Sequence, residues 1–67
     1  MELKEFGLNL AKFRMAKNLS AYELSLQIGK SPNYIHRVET GQNNLSIKTM
    51  LEICKHLEIE PHQLFKN

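Results

Sequence analysis

The 67-residue sequence has no aspartate, no tryptophan and a single cysteine. Acid–base chemistry by two carboxylates would have to use glutamate alone, and the seven glutamates are scattered without an evident pair. The three histidines and Cys54 lack the paired spacing of zinc modules, so Cys54 is expected to be a small core residue. The three glycines lie too far apart for a phosphate-binding loop. These absences predict a protein that is not an enzyme and holds no metal or other cofactor, with a metal-dependent enzyme as a minor alternative.

Long apolar runs are also missing. No segment approaches the roughly 18 apolar residues that a membrane span requires, and residues 1–12 lack the profile of a secretory leader. One thiol forms no internal disulfide, which favours a reducing compartment. The length allows one domain, residues 1–67, with a radius of gyration of about 11 Å and a diameter of about 28 Å. The sequence therefore predicts a cytoplasmic protein without membrane contact and without an evident small-molecule effector.

Apolar residues recur every three or four positions, which is the spacing of helices rather than of strands. Five short stripes of this kind predict an all-α fold of five helices joined by short loops. Met15 and Met50 are expected to fill the core. The first helix has one face formed by Leu3, Phe6, Leu10 and Phe13, and the fourth helix carries Ile47, Met50, Leu51, Cys54 and Leu57. The residues predicted to be buried or to pack inward on the other helices are Leu24 and Ile28, Ile35 and Val38, and Leu64 and Phe65.

Helix boundaries are marked by capping residues. Ser20 and Glu23 have the spacing of a capping box at the start of the second helix, and Gly29 follows its last apolar residue. Ser31 is predicted to cap the third helix, with Pro32 at its first position. The remaining predicted boundaries are Gly41 at the end of the third helix, Ser46 before the fourth, and Pro61 at the start of the last.

Residues 20–40 form two helices of about eight residues around a glycine turn, which is the pattern of a helix-turn-helix. Ser25 is small where the two helices cross. The second helix of the pair leaves polar side chains off its buried stripe, and these types of side chain bond base edges and phosphates. They are Pro32, Asn33, Tyr34, His36 and Arg37, of which only Pro32 is apolar.

Over residues 3–65 the sequence resembles the helix-turn-helix domain of the phage repressor and Cro family, also called xenobiotic-response-element regulators. The resemblance implies a compact five-helix lambda-repressor-like DNA-binding domain, with residues 32–40 in the major groove. The segments that carry it are Leu19-Ser20, Glu23-Leu24, Ile28-Gly29-Lys30-Ser31, Ile35, Val38-Glu39-Thr40-Gly41, Leu57-Glu58-Ile59 and Leu64-Phe65.

The same resemblance implies roles for individual residues. Those expected to contact bases are Pro32, Asn33, His36 and Arg37. The alternatives are a solvated arginine or one paired to a nearby glutamate for Arg37, a polar residue at the helix start for Asn33, and a titrating switch or an exposed bystander for His36. Those expected to contact phosphates are Ser20, Ala21, Tyr22, Lys30, Ser31, Tyr34, Gln42, Asn43 and Asn44, with half-buried packing as the alternative for Tyr22 and Tyr34. Arg14 and Glu39 match a structural ion pair between the first and third helices.

Four positions depart from the family pattern. Ala21 stands where glutamine commonly contacts phosphate, so one side-chain anchor is absent. Lys30 replaces a buried aliphatic residue in the turn, and Pro32 replaces a polar residue and offers a thymine methyl only apolar contact. Glu58 stands where glycine often ends the fourth helix, and a left-handed conformation there costs about 1 kcal/mol relative to glycine.

The charge balance of residues 20–41 predicts modest phosphate neutralisation, since two basic and two acidic side chains cancel there. We expect about two to four neutralised phosphates per subunit. A monomer about 28 Å across is shorter than the ~34 Å between successive groove faces, which predicts a homodimer on a palindromic operator. The C-terminal region, including Ile59, His62 and Leu64, is the expected dimer surface.

These features predict a small transcriptional regulator, either a repressor or a Cro-like protein, that binds double-stranded DNA. The alternative is a protein-interaction module on the same fold, such as an antitoxin or a partner-binding adaptor. The neutral third helix and the missing glutamine at position 21 favour that alternative.

Overall fold

The computed structural model describes residues 2–65, which form four α-helices and a C-terminal 3-10 helix. Met1, Lys66 and Asn67 of the predicted domain lie outside the described residues. No strand is present within residues 2–65, and the predicted all-α fold is confirmed. The elements are α1 (Leu3–Ala16), α2 (Ala21–Gln27), α3 (Tyr34–Glu39), α4 (Ile47–Leu57) and the 3-10 helix (Pro61–Phe65).

One hydrophobic core joins the five elements. α1 packs against α3 and the 3-10 helix, while α2 packs against α3 and α4. The radius of gyration is 10.4 Å and the principal extents are 26 × 24 × 21 Å, close to the expected size. Full burial of one large apolar side chain is worth about 1.5–3 kcal/mol. The buried apolar residues are Phe6, Leu10, Leu24, Ile28, Ile35, Val38, Ile53, Cys54, Leu57 and Leu64.

The third helix starts two residues later than the sequence predicts. Ile35 N donates to Ser25 Oγ in α2 rather than to a carbonyl of its own helix, and Tyr34 N donates to Ser31 O in a turn. The first α-helical bond of the segment therefore runs from Arg37 N to Asn33 O, at 3.1 Å. Asn33, and not Ser31, is the residue that precedes the helix. Pro32 lies in the turn.

Helix α4 has apolar residues on two faces, and those identified in its sequence lie on both of them. Thr49 and Ile53 are buried with Cys54 and Leu57, whereas Ile47 is 73% exposed and Leu51 is 50% exposed. The apolar residues that the sequence places on the fourth helix are therefore divided between a buried face and an exposed face. The face that contains Ile53 packs on the other helices, so the face that contains Ile47 and Leu51 is left outside.

The core predictions for Met15 and Phe65 need correction. Met15 is 59% exposed on the outer side of α1, and Leu3 is 43% exposed near the start of that helix. Phe65 is half exposed, although its ring centroid lies 5.2 Å from that of Phe6. Conversely, Leu64 is fully buried in the core of its own chain, so it is not available for a dimer surface.

Glu58 ends α4 in the left-handed conformation (φ 57°, ψ 44°) that the family resemblance led us to consider at this position. Its carboxylate forms an exposed ion pair with Lys17, the residue that ends α1. The hydrogen bond and charge of Lys17 lower the pKa of Glu58 below its ordinary value of 4.5. This pair connects the C-terminal ends of α1 and α4.

Within residues 2–65, no helix has the length and hydropathy to cross a membrane. No group of three or more histidine, cysteine or acidic side chains among those residues is arranged to hold a metal ion. Cys54 is buried in the core, and desolvation raises the pKa of its thiol above 9.0, with a further contribution from the charge of Glu60.

Candidate nucleic-acid interface

A buried serine sets the crossing of α2 and α3. Ser25 Oγ donates to Ala21 O at 2.7 Å within α2 and accepts from Ile35 N at 3.0 Å in α3. Ser25 is fully buried, so the hydroxyl satisfies a backbone amide that would otherwise lie unpaired in the core. Gly29 follows α2 with φ +74°, a conformation that suits glycine, and turns the chain toward α3.

The first turn of α2 contains the predicted capping box. Ser20 Oγ accepts from Glu23 N at 2.9 Å, and Glu23 Oε1 accepts from Ser20 N at 2.8 Å. Hydrogen bonds from the backbone amide and from the side chain of Ser20 to the Glu23 carboxylate lower the pKa of Glu23 below its ordinary value of 4.5. The backbone amides at positions 21 and 22 form no hydrogen bond with any part of the chain that the structure describes. Tyr22 is 57% exposed beside them.

The residues predicted to contact bases lie together at the start of α3. Pro32, Asn33 and His36 are exposed and Arg37 is half-buried, while Ile35 and Val38 occupy the opposite, buried face of the helix. The predicted surface is therefore not covered by any described part of the chain. Helix α3 has only six residues, so most of its outward-facing surface consists of these side chains.

The phosphate candidates in the turn are Lys30, Ser31 and Tyr34. Lys30 and Ser31 are exposed, and Tyr34 is half-buried against the core. The Lys30 ammonium lies 5.4 Å from the centre of the Tyr34 ring, a cation–π contact that holds the charge next to the start of α3.

The loop after α3 lies against the helix that it follows. Gln42 N and Asn43 N donate to Arg37 O at 2.8 and 3.2 Å, and Gln42 Nε2 donates to Thr40 Oγ1 at 2.9 Å. Gln42 and Asn44 are exposed, and Asn43 is half-buried. These three predicted phosphate contacts thus lie next to the α3 surface.

Arg14 and Glu39 form a bidentate ion pair between α1 and α3. Arg14 Nε donates to Glu39 Oε2 at 2.6 Å and Nη2 donates to Oε1 at 3.1 Å, while Nη1 donates to Leu19 O at 2.6 Å. Both side chains are nearly buried, with 13% and 10% exposure. The guanidinium therefore joins α1, α3 and the segment before α2, and it is not directed at the exposed surface of α3.

Sequence reasoning missed Gly7, whose small size allows α1 to approach α3. A Cβ at this position would overlap the Glu39 carbonyl group and lie 2.8 Å from Glu39 Cα. The sequence contains a signal for this close approach, which is the glycine inside a predicted helix. Such a glycine lowers helix stability, and close packing against a neighbouring element is a common reason for its presence. It also missed the contact of Asn43 with Arg37, for which the sequence holds no signal.

The buried crossing of two short helices and the uncovered polar surface of the second define a helix-turn-helix DNA-binding unit. The family model described as "Helix-turn-helix" matches residues 10–64. The chain belongs to this helix-turn-helix family and is a small DNA-binding transcriptional regulator.

Solved structures similar to this chain include the restriction-modification controller protein C.AhdI from Aeromonas hydrophila. It is 40% identical with a TM-score of 0.87, over 94% of this chain and 96% of that one. The hypothetical transcription factor NHTF from Neisseria is 24% identical with a TM-score of 0.89, over 98% of this chain and 76% of that one. The clp gene regulator ClgR from Corynebacterium glutamicum is 24% identical with a TM-score of 0.87, over 94% of this chain and 67% of that one. The last two likenesses concern the fold alone. A comparison with curated protein sequences finds no match.

Proposed function

We propose that this regulator is a repressor or Cro-like protein that binds a palindromic or nearly palindromic operator as a homodimer. Residues 32–40 of each copy enter the major groove. The observation that carries the proposal is the uncovered polar surface of Asn33, His36 and Arg37 on a helix whose opposite face is held in the core. Because the opposite face of this helix is packed in the core, its outer side chains can contact base edges without rearrangement of the fold.

Base contacts follow from the chemistry of these side chains. The Arg37 guanidinium matches O6 and N7 of guanine, and the Asn33 amide matches N6 and N7 of adenine. Pro32 contacts a thymine methyl, and His36 donates to an acceptor on an adjacent base or phosphate. Arg37 contributes the largest share of base discrimination because it alone combines charge with two parallel donors.

Phosphate contacts surround this surface. The unpaired amides of Ala21 and Tyr22 donate at the start of α2, Lys30 and Tyr34 bind beside the start of α3, and the loop donates from Gln42 and Asn44 on the other side. The chain contributes little net charge to these contacts.

The Arg14 partner of Glu39 removes one acidic charge from the electrostatic balance of the surface. The positive charges of Lys30 and Arg37 are then opposed within residues 20–41 by the charge of Glu23 alone. We expect each subunit to neutralise about two to four phosphates. Since each phosphate contributes about −0.9 to the slope of log binding constant against log salt concentration, the salt dependence is shallow.

The size of one copy favours a dimer. The longest extent of the described chain is 26 Å, which is shorter than the ~34 Å between successive major-groove faces on one side of the duplex. Two copies related by a two-fold axis span that distance and contact two half-sites of inverted sequence.

An exposed apolar face, which we define as Leu3, Ile47, Met50, Leu51 and Phe65, is the proposed dimer surface. Four of these side chains also belong to the lining of a groove of about 250 Å³ between the start of α1, the start of α4 and the 3-10 helix. Large side chains bury 150–250 Å² each, so the exposed parts of Leu3, Ile47, Leu51 and Phe65 present on the order of 400 Å². That is within the range of about 300–600 Å² for the largest apolar patch of a typical monomer, which is often functional, and about half of the ~800 Å² that one partner contributes to a stable interface.

Charges beside this face suit a second copy of the same chain. Lys48 and Glu52 are exposed and flank Leu51 on α4. When two α4 helices cross antiparallel at the level of Met50, Lys48 of one copy faces Glu52 of the other, so each copy supplies one member of each of two ion pairs. A two-fold axis requires such self-complementarity. This face replaces the surface predicted from Leu64, which is buried.

The DNA-binding proposal is tested by selection of binding sites from random duplexes. We expect an inverted repeat with half-sites about one helical turn apart. Arg37→Ala is expected to cost about 1–3 kcal/mol per subunit and to relax one base position in each half-site. Lys12→Ala, which removes an exposed cation outside the helix-turn-helix, is the control and must leave base preference unchanged. Unselective binding by the unmodified protein would contradict the proposal.

The dimer proposal is tested by sedimentation equilibrium. Leu51→Glu is expected to give a monomer with weakened operator binding, whereas Leu8→Glu, at a leucine on α1 that is 62% exposed, leaves the dimer intact. Lys48→Glu and Glu52→Lys each weaken the dimer and together restore it. A dimer that survives Leu51→Glu places the interface elsewhere, and a monomer that binds the operator alone assigns the apolar face to another protein.

The class of target is inferred from C.AhdI, a restriction-modification controller protein that is 40% identical to this chain. By that likeness, this chain controls a restriction-modification system from the cytoplasm, where its DNA lies. Chromatin immunoprecipitation tests the inference. Enrichment upstream of methyltransferase or endonuclease genes supports it, and enrichment only at unrelated promoters opposes it.

A further inference from the structure

The Arg37 side chain is held by the two segments that flank α3. Its Nη2 donates to Ser31 Oγ at 3.2 Å. With the Asn43 amide oriented so that both of its ends are bonded, Arg37 Nε donates to Asn43 Oδ1 at 3.3 Å, and Asn43 Nδ2 donates to Gln42 O at 3.1 Å. Ser31 precedes Arg37 by six residues and Asn43 follows it by six. The guanidinium therefore connects the turn before the helix to the loop after it.

Backbone hydrogen bonds also connect Arg37 to the loop after α3. Arg37 O accepts from both Gln42 N and Asn43 N, at 2.8 and 3.2 Å. The loop is thus bonded to Arg37 through the main chain and through the side chain of Asn43. Because the carbonyl bonds fix where Asn43 stands, the Asn43 amide offers Arg37 a partner at a defined position.

The bonded hydrogens lie on one edge of the guanidinium plane. Nε–H and the nearer Nη2–H point in the same direction, and these two are directed at Asn43 and Ser31. Nη1 donates to no atom of residues 2–65. The other edge, formed by Nη1 and the second Nη2 hydrogen, keeps the two parallel donors that match guanine O6 and N7.

We propose that Ser31 and Asn43 are positioning residues for Arg37, which hold one edge of its guanidinium so that the other edge meets a guanine in a fixed register. This inference rests on the proposed function, in which α3 enters the major groove. It replaces the phosphate contacts that the family resemblance implied for these two side chains. An arginine restrained before binding loses less rotamer freedom in the complex, and it cannot swing to an acceptor on the neighbouring base pair.

The restraint is measurable without DNA. The chain has two arginines, Arg14 and Arg37, so their Nε–Hε groups give two resonances in a ¹⁵N-correlated spectrum. Relaxation is expected to show an ordered Arg37 Nε–Hε vector in the unmodified protein, and Asn43→Ala lowers its order parameter toward the flexible range below about 0.6. Arg14, bonded to Glu39, is the internal reference and stays unchanged. Asn44→Ala is the matched control in the same loop.

The consequence for DNA is measured as selectivity at the one base pair that Arg37→Ala relaxes. Ser31→Ala and Asn43→Ala are each expected to lower the preference for guanine there by about threefold to tenfold, the range for one modest hydrogen bond. The preference at the other base pairs remains unchanged. Ser31→Thr, which retains the hydroxyl, is expected to retain the preference for guanine. In an Arg37→Ala background, Ser31→Ala and Asn43→Ala are expected to have no further effect on the base preference at that base pair.

Four outcomes decide between the possibilities. Loss of guanine preference that disappears in the Arg37→Ala background, together with the lower order parameter, supports the positioning role. An equal loss of affinity for all sequences that persists without Arg37, with a shallower salt slope, assigns Ser31 and Asn43 to phosphate and overturns it. An Arg37 Nε–Hε vector that is already flexible in the unmodified protein overturns it whatever the DNA result. Unselective DNA binding by the unmodified protein, with Arg37 ordered, removes the proposed function and with it the positioning role.

Discussion

The hydroxyl of Ser25 in α2 accepts a hydrogen bond from the backbone amide of Ile35 in α3, over 3.0 Å and with both residues fully buried. This bond takes the place of the bond from Ile35 N to Ser31 O that a helix capped by Ser31 would form, and α3 begins at Tyr34. A side chain of one helix thus fixes the start of the helix that is proposed to contact DNA.

Ser25→Ala is expected to destabilise the fold by about 1–3 kcal/mol, because the Ile35 amide is left buried without a partner. Urea unfolding monitored by circular dichroism measures the change. Ser31→Ala, at an exposed serine, is the control and should change stability by less than about 0.5 kcal/mol. Equal stability of the two variants would show that the buried hydrogen bond is not needed.

Gly7→Ala is expected to destabilise by about 1–3 kcal/mol or more, because the new methyl group overlaps the backbone of Glu39 and forces α1 away from α3. Inside an unobstructed helix the same substitution would stabilise by about 1 kcal/mol. The sign of the change in unfolding free energy therefore tests the close approach. Leu8→Ala, at the adjacent exposed position of α1, should have a small effect.

Removal of the Glu39 carboxylate leaves the nearly buried Arg14 guanidinium with only the Leu19 carbonyl. Glu39→Leu is expected to cost about 3–5 kcal/mol, as for one partner of a buried pair. The double variant Arg14→Met, Glu39→Leu should recover part of that loss, since no unpaired charge remains. Denaturant unfolding of the single and double variants measures the coupling, and strictly additive losses would contradict it. Glu58→Gln, which breaks the exposed pair with Lys17, is the comparison and should change stability far less.

Acid is expected to weaken the start of α2. The folded-state pKa of Glu23 lies below its ordinary value of 4.5 because the carboxylate accepts from Ser20. Its contribution to stability is therefore complete above pH 4.5 and is lost as the pH falls through the lowered value. Glu23→Gln keeps an acceptor for the capping box but does not titrate, so its stability should fall less between pH 5 and pH 3. An unchanged pH profile, or an ordinary pKa for Glu23 by NMR titration, would contradict the prediction.

Much of the fold was predictable because its signals are local. Helical periodicity, the Ser20–Glu23 box and the glycine at position 29 each act within a few residues. They located α1, α2 and α4 and the turn between α2 and α3. The family resemblance added the Arg14–Glu39 pair and the left-handed Glu58, neither of which periodicity contains.

The errors arise where a residue's environment depends on distant parts of the chain. Periodicity identified α4 as amphipathic, yet it cannot choose between two apolar faces, and packing against the other elements buried Ile53 and left Leu51 outside. The same holds for the dimer surface predicted from Leu64, because the docking of the 3-10 helix against α1 buries that side chain. The start of α3 depends on a hydroxyl ten residues earlier, which no local capping rule includes.

Helix content, the main turn and the identity of the polar residues near α3 are properties of short stretches of chain, because backbone hydrogen bonds and caps act over three or four positions. Which apolar face stays exposed, how closely α1 approaches α3, and what holds the Arg37 guanidinium are properties of the folded whole. Those features require contacts between residues far apart in the chain, and such contacts exist only once the helices have packed.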